Sequence, residues 1–310
     1  DIRRSNKTIS IRLRNSNKTL QNIFKKILKT EFCKSFDIQR ENSNRPEATR
    51  TGSKILGEIL LALGIPFSPK SNKIRLSNTT LHLTNDLLAE YIAGLYDADG
   101  TVYVDPKRSK GIIELTTCSE TLARQLQLVF LRFNIHVLLR KRKPTQGKIK
   151  GKLDKWVLTI SGSFQIEQFK KYFHLRHPQK RKKLEAFVKL CKNPNTNIDI
   201  IPDIQSTLKK ELQNKGISLK KVGFHYYNGI SRNRLQNILS KVECDTNVLS
   251  NLKELANSDI FWEKIINIKK KKTPYKYVYD LTVEDSHNFV VDGVLVHNTA
   301  SVVKDEFLQG

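Results

Sequence analysis

The sequence has no methionine and only four cysteines among its 310 residues. Cys33, Cys118, Cys191 and Cys244 stand far apart, which excludes both a CxxC metal pair and a dense disulfide framework and leads us to expect a reducing, cytoplasmic setting. Long hydrophobic runs are also missing. No stretch approaches the roughly 18 consecutive apolar residues of a membrane span, and no signal peptide with an apolar core is present. With no initiator methionine, and with Asp1 already inside patterned sequence, the chain reads as a fragment. Acidic residues are scarce, 30 against 55 lysines and arginines, for a formal charge of +25. That excess favours a polyanionic partner through phosphate neutralisation and counterion release, over a merely solvated surface or an adaptation to heat. The 38% apolar content suffices for more than one buried core at this length.

The apolar positions recur with clear periods. From Thr8 to Asn15, Ile9, Ile11 and Leu13 alternate with Ser10, Arg12 and Arg14, which predicts a strand with one greasy and one cationic face. Leu20, Ile23, Ile27 and Leu28 then form a helical stripe behind the cap candidates Ser16 and Asn17. The same grammar returns 102 positions later: Gly111 to Cys118 predicts a strand, Ser119 an N-cap, and Leu122, Leu126, Val129 and Phe133 a helix. Thr51-Gly52-Ser53 answers Ser161-Gly162-Ser163, each just ahead of another helix. Two further strands, Ile135 to Arg142 and Lys155 to Ser161, flank the basic loop Lys143 to Lys152. Each repeat reads strand, helix, strand, strand, helix. Cationic strand faces in a duplicated unit suggest a pseudo-two-fold saddle of sheet tracking a DNA groove, with Arg12, Arg14, Arg140, Lys141 and Arg142 as candidate contacts.

Between the repeats lies Ile92-Ala93-Gly94-Leu95-Tyr96-Asp97-Ala98-Asp99-Gly100, preceded by Leu87, Leu88 and Tyr91 on a helical stripe with Thr84 or Asn85 upstream as cap. It predicts a helix ending at Gly100. Gly94 costs about 1 kcal/mol against Ala inside a helix. It shares a face with Ala98, so this helix can pack close to another. Asp99 sits in the last turn, where the helix dipole disfavours a carboxylate and a cation would offset it. A calcium loop is excluded, because Leu95 and Pro106 fall at the first and twelfth ligand positions. An ordinary C-cap with a solvated Asp is the plainer alternative.

These nine residues resemble the motif of the LAGLIDADG homing endonucleases, matching at eight positions with Tyr96 in place of an aliphatic residue. The resemblance implies an αββαββα repeat, two motif helices packed together, and the penultimate acid of each, here Asp99, holding magnesium at the scissile phosphates. One copy is present, and the 102-residue offset puts the counterpart of Asp99 just before Asp1. The expectation is therefore that the first motif lies upstream and that this fragment does not cut DNA unaided. The family also places lysines near the metal, and Lys73 and Lys180 resemble them, against the plainer reading of phosphate contacts or solvated charge. Residues 191–262 open with Asn197-Ile198-Asp199-Ile200-Ile201-Pro202 and continue as short helical stripes, including Gly229-Ile230-Ser231-Arg232-Asn233-Arg234-Leu235. They are read either as a helix-turn-helix-like DNA contact through Arg232 and Arg234 or as a structural bridge. Lys269 to Lys272 reads as a solvated loop.

Near the C-terminus, Tyr277 to Val283 alternates as a strand. Ser286-His287-Asn288-Phe289-Val290 and Gly293-Val294-Leu295-Val296-His297-Asn298-Thr299 follow, and this ordered pair of segments is similar to the two C-terminal motifs of inteins. The resemblance makes Asn298 the last intein residue and Thr299 the first host residue. The side-chain nitrogen of Asn298 can attack its own carbonyl, forming a succinimide and breaking the bond to Thr299 without water. His297 would polarise that carbonyl or protonate the leaving amine, and His287 would activate the Asn amide. Thr299 would receive the upstream host segment by ester exchange, and Asp280, by resemblance, assists the acyl transfers. Residues 299–310 resemble the ATPase module of archaeal MCM replicative helicases.

The sequence thus predicts an α+β chain divided at 1–80 (first repeat, lacking its motif helix), 81–190 (second repeat), 191–262 (helical segment), 263–298 (C-terminal strands of a Hint splicing domain) and 299–310 (host). The expected function is an archaeal-type intein fragment that joins a magnesium-dependent double-strand endonuclease to a splice junction needing no cofactor. Its expected partners are double-stranded DNA at the intein-free host gene, the upstream intein half and the host N-terminal segment. Internal duplication implies a monomeric endonuclease. A decayed endonuclease, or a chain understood through its helicase host, are the alternatives.

Overall fold

The computed structural model describes the chain apart from residues 6, 41–45, 145–152, 192–197, 225–228, 266, 270–273, 275, 277–280, 282, 292 and 298–310. The chain divides into two units, 1–263 and 264–310.

The first unit opens with β1 (Ile2–Arg4) and β2 (Ile9–Arg14), followed by α1 (Lys18–Thr30), β3 (Asp37–Gln39), β4 (Ala48–Gly52) and α2 (Lys54–Ala62). Alternation sends Ile9 and Ile11 into a cluster with Ile2, Leu28 and Leu56. Asn17 caps α1 by accepting the Leu20 N–H at 3.2 Å, and Ser53 caps α2 through Leu56 at 3.2 Å, contributions of about 1 kcal/mol each. After a short α3 (Asn78–Leu81) comes the acidic-motif helix α4 (Asn85–Asp99), then β5 (Gly100–Asp105), β6 (Lys110–Thr117), α5 (Glu120–Leu131), β7 (Leu138–Arg142), β8 (Lys155–Ile160), α6 (Ser163–Tyr172) and α7 (Pro178–Leu190). Ser119 caps α5 as expected, accepting from Leu122 at 3.2 Å. Thr84 occupies the cap position of α4 without a side-chain bond.

Both four-stranded sheets are antiparallel and share one connectivity, β1-β2-β4-β3 and β5-β6-β8-β7. Shifted by 102 positions, Lys18–Thr30 falls on Glu120–Leu131 to within a residue, so the periodicity located a real duplication. The structure corrects the sequence reading in one respect, because each repeat carries an additional leading strand. β1 is three residues long, too short for a period-2 signal, and β5 begins at the very Gly100 that ends α4. The capping parallel is also incomplete. Ser53 caps α2 with its hydroxyl, whereas Gly162 holds the corresponding place before α6 at φ +90° with no side chain to accept a bond.

The largest core lies under the second sheet. Leu88, Ile92 and Tyr96 of α4 meet Val102, Ile113, Leu115, Leu158 and Ile160 from the strands and Leu126, Phe130, Phe169 and Phe187 from helices. Residues 200–262 add a small helical body with its own core: β9 (Ile200–Ile201), α8 (Gln205–Asn214), α9 (Leu219–Val222), β10 (Ile230–Ser231), α10 (Arg232–Leu239) and α11 (Asn247–Asn257). In the second unit the described backbone forms a hairpin of β11 (Asn288–Val291) and β12 (Val294–His297). Among the described residues, no helix is long and apolar enough to cross a membrane.

Candidate functional site

The end of α4 is held by a reciprocal exchange with α7. Asp97 is buried, and its carboxylate accepts the backbone N–H groups of Arg176 at 2.9 and 3.1 Å and of His177 at 2.9 Å, just ahead of α7. Those groups stand at a helix N-terminus, where an anion is stabilised by free donors and the dipole. From the first turn of α7, Lys180 Nζ returns to donate to the carbonyls of Tyr96 at 2.8 Å and Asp97 at 2.7 Å, at the opposite, electron-rich end of α4. Burial lowers the Lys180 pKa below its ordinary value, while Asp97 and Asp99 pull it the other way. Lys180 therefore stands in the field of Asp99, whose side chain is exposed at the last position of the helix.

Asp97 had no role in the sequence reading, which singled out Asp99. The available signal was Pro178, since proline at a first helical position marks the free N–H groups ahead of it. His177 was missed as well: its Nε2 lies 3.4 Å from Asn17 Nδ2, so the α1 cap touches the α7 cap across the two repeats. Lys73 is exposed in the turn before Leu76, and its side chain makes no hydrogen bond or ion pair among the described residues. Gly94 and Ala98 lie exposed on one face of α4, and a Cβ on Gly94 would meet nothing within 4 Å. The face suited to a close-packed helix is bare among the described residues. These residues hold no group of three His, Cys, Asp or Glu side chains fit for a metal ion. Asp99 alone is one carboxylate beside an ammonium, and by itself it does not make a magnesium site.

Strand register sorts the candidate DNA contacts by face. Ser10, Arg12 and Arg14 face away from the core, with Arg50 paired to Arg12 and Arg3 to Ser10 on the same side. Arg3 and Arg50 escaped the sequence reading because their strands are short. Arg12 is bonded to Asp1 at 3.1 Å and Arg14 NH1 to the Pro46 carbonyl at 2.6 Å, which orients both guanidinium groups. In the second sheet Arg140 and Arg142 lie on the outer face, opposite Val157 and Lys155. Lys141 lies on the opposite face from Arg140 and Arg142. Alternation turns it to the helix side, where it pairs with Asp154 at 2.8 Å and, with Arg124, brackets the Trp156 ring at 5.6 and 5.3 Å.

Arg232 is engaged within the helical segment. Its guanidinium bonds Asp199 at 2.6 Å and the carbonyls of Leu255 and Ser258 at 3.0 and 2.7 Å, and only 12% of the side chain is exposed. It fastens β9, α10 and the end of α11 together, leaving little of its charge for a phosphate. Arg234, two residues on, is half-buried on another side of α10.

In the second unit, Asn288 pairs with His297 across the hairpin, and His287 adopts φ +51°, so the His287 and His297 rings lie 6.4 Å apart between centroids. The fold thus brings together two histidines separated by a turn. Asp280, Asn298 and Thr299 lie outside the described residues. Val290, Val291, Val294 and Leu295 of the hairpin are all exposed.

Comparison with known proteins gives a family-model match, described as an intein splicing domain, over residues 12–298. Among curated proteins, the chain is 30% identical over 317 residues to the ATP-dependent DNA helicase Hel308 of Methanocaldococcus jannaschii, covering 71% of this chain and 26% of that protein. It is 26% identical over 255 residues to elongation factor 2 of Methanopyrus kandleri, covering 79% and 18%. It is also 28% identical over 297 residues to a glutamine–fructose-6-phosphate aminotransferase of Methanocaldococcus jannaschii, covering 93% and 25%. The chain thus spans about a quarter or less of the length of the curated relatives it matches. Solved structures that resemble it include the homing endonuclease I-DmoI in complex with DNA and Mn, at 15% identity and TM-score 0.40, covering 56% of this chain and 89% of that one. The homing endonuclease I-WcaI bound to its DNA recognition sequence resembles it at 12% identity and TM-score 0.37, covering 58% and 79%.

Proposed function

The chain belongs to the intein splicing-domain family, and from that premise we propose that it is the downstream part of an intein, carrying the C-terminal splice junction and a DNA-cleaving insert. The observation that carries the splicing assignment is the approach of His287 to His297, the residue before Asn298. With one imidazole activating the Asn298 amide and the other protonating the departing Thr299 nitrogen, Asn298 Nδ2 bonds to its own carbonyl carbon. The peptide C–N bond breaks, a terminal succinimide remains, and Thr299 leaves with a free amine. The Thr299 hydroxyl is the acceptor for the upstream host segment, and Asp280 assists that transfer. A helicase, an elongation factor and an aminotransferase all share this region, which supports a portable insert over a part of any one host activity.

The insert is read as a site-specific double-strand endonuclease. Its two like-ordered sheets offer outward arginines to a duplex: Arg12, Arg14 and Arg50 from one, Arg140 and Arg142 from the other. Asp99 is this chain's share of the cutting centre, with Lys180 beside it and Lys73 as a further phosphate contact. A magnesium ion would supply charge neutralisation at the scissile phosphate, but the described residues provide one acid where two are needed. Completion by an upstream copy of the motif is therefore part of the proposal. So is an MCM-type helicase host, which rests on residues 299–310 alone.

The deciding experiment follows the peptide that begins at Thr299 by mass spectrometry. The parent chain is expected to release it and retain a succinimide at residue 298, and Asn298→Ala to retain it. Release from Asn298→Ala would overturn the succinimide route.

A further inference from the structure

The solvent face of α10 is chemically uniform. At 100° per residue, Asn233, Arg234 and Asn237 fall on one side of the helix, and the stripe continues onto Lys241 just past its C-cap. Leu235, Ile238 and Leu239 occupy the other side, buried against the body of the segment, and Gln236 bonds the Ala256 carbonyl at 2.8 Å. These four residues line a groove of about 310 Å³ together with Ser231, the edge of Ile238, and Val222 and Gly223 at the end of α9. No acid lines it. Asparagine is among the weaker helix formers, so two of them on the outer face of an eight-residue helix do not serve helix stability. Arg232 pins the start of this helix through Asp199, Leu255 and Ser258, which makes the face rigid.

We infer that α10 is a second DNA-reading surface, separate from the two sheets, that enters a duplex groove with Asn233 and Asn237 toward base edges and Arg234 and Lys241 toward the backbone. An asparagine amide matches the donor and acceptor of adenine in the major groove, and a cation-bordered helix is the shape that groove admits. Complementarity with a polyanion follows from the groove lining, whose charged members among the described residues, Arg234 and Lys241, are both cations. The inference rests on the duplex-DNA reading above and adds sequence discrimination to it.

The test uses the full chain and a random-sequence DNA duplex, with affinity followed by fluorescence anisotropy between about 50 and 200 mM salt. Lys241→Gln is expected to lower the magnitude of the salt slope by about 1, the signature of one lost phosphate contact. Asn237→Ala is expected to leave that slope unchanged while removing an adenine preference from the sequences enriched out of a randomised duplex library. Unchanged slopes and unchanged enriched sequences in both variants would overturn the assignment. Arg140→Gln with Arg142→Gln separates the two ideas: a lowered slope there, with none from α10, sinks the α10 proposal and keeps the sheet reading. A parent chain without salt-sensitive duplex binding, or one displaced by RNA in preference to duplex DNA, overturns both. Should a variant melt early, a photo-crosslinking residue at position 237 of the otherwise parental chain is expected to capture a DNA strand, and failure to do so counts against the proposal.

Discussion

Asp97 and Asp99 are two residues apart and do different things. Asp97 is buried against the first N–H groups of α7, and Asp99 stands exposed at the last turn of α4. Three charge-assisted bonds converge on Asp97. Asp97→Asn, with no charge and one accepting oxygen, is therefore expected to destabilise the chain by about 1–3 kcal/mol, read as a shift in the urea midpoint. A change within about 0.5 kcal/mol, the range of ordinary surface substitutions, would mean the clamp is dispensable. Tyr96, the core residue before Asp97, is buried with a hydroxyl that has no hydrogen-bond partner among the described residues, and burial raises its pKa. The motif's aliphatic position thus tolerates a ring, which packs edge-on to Phe169 at 5.0 Å. Asp99 was legible from the motif and Asp97 was not, because the donors that explain it lie some 80 positions downstream.

At the scale of elements, Gly94 inside α4 and Gly100 at its C-cap are under opposite constraints. A Cβ on Gly100 would fall 2.6–2.7 Å from the Tyr96 ring and backbone, whereas one on Gly94 would meet open space. Gly100→Ala is expected to lower stability by about 1–3 kcal/mol through overpacking. Gly94→Ala is expected to raise it by up to about 1 kcal/mol, because alanine is the better helix former. Thermal melting of the two variants checks both signs. A destabilising Gly94→Ala would mean that another element covers that face. The caps were readable in advance at Asn17, Ser53 and Ser119, since each is a short polar side chain one turn ahead of an apolar stripe. The strands β1 and β5 were not, since three residues or an abutting helix leave no period to detect.

For the whole molecule, the proposal assigns the duplicated sheets to DNA and the C-terminal hairpin to splicing. With an upstream half supplied, cleavage of the intein-free host gene is expected to fall at least about 10²-fold in Asp99→Ala, the scale on which one electrostatic stabiliser is lost. Release of the Thr299 peptide is expected to be untouched. Full nuclease activity in that variant would remove Asp99 from the cutting centre. Sequence by itself determined the 102-residue duplication, the acidic helix and its stop at Gly100, and the order of His287, His297 and Asn298, because period, cap chemistry and motif spacing are local properties of the chain. Tertiary structure alone decided which cations face outward. Pleating turned Lys141 to the helix side, and the buried Asp199 took up Arg232. It also set Lys180 on the last carbonyls of α4 and His287 near His297, since each approach is made by elements folding back on one another.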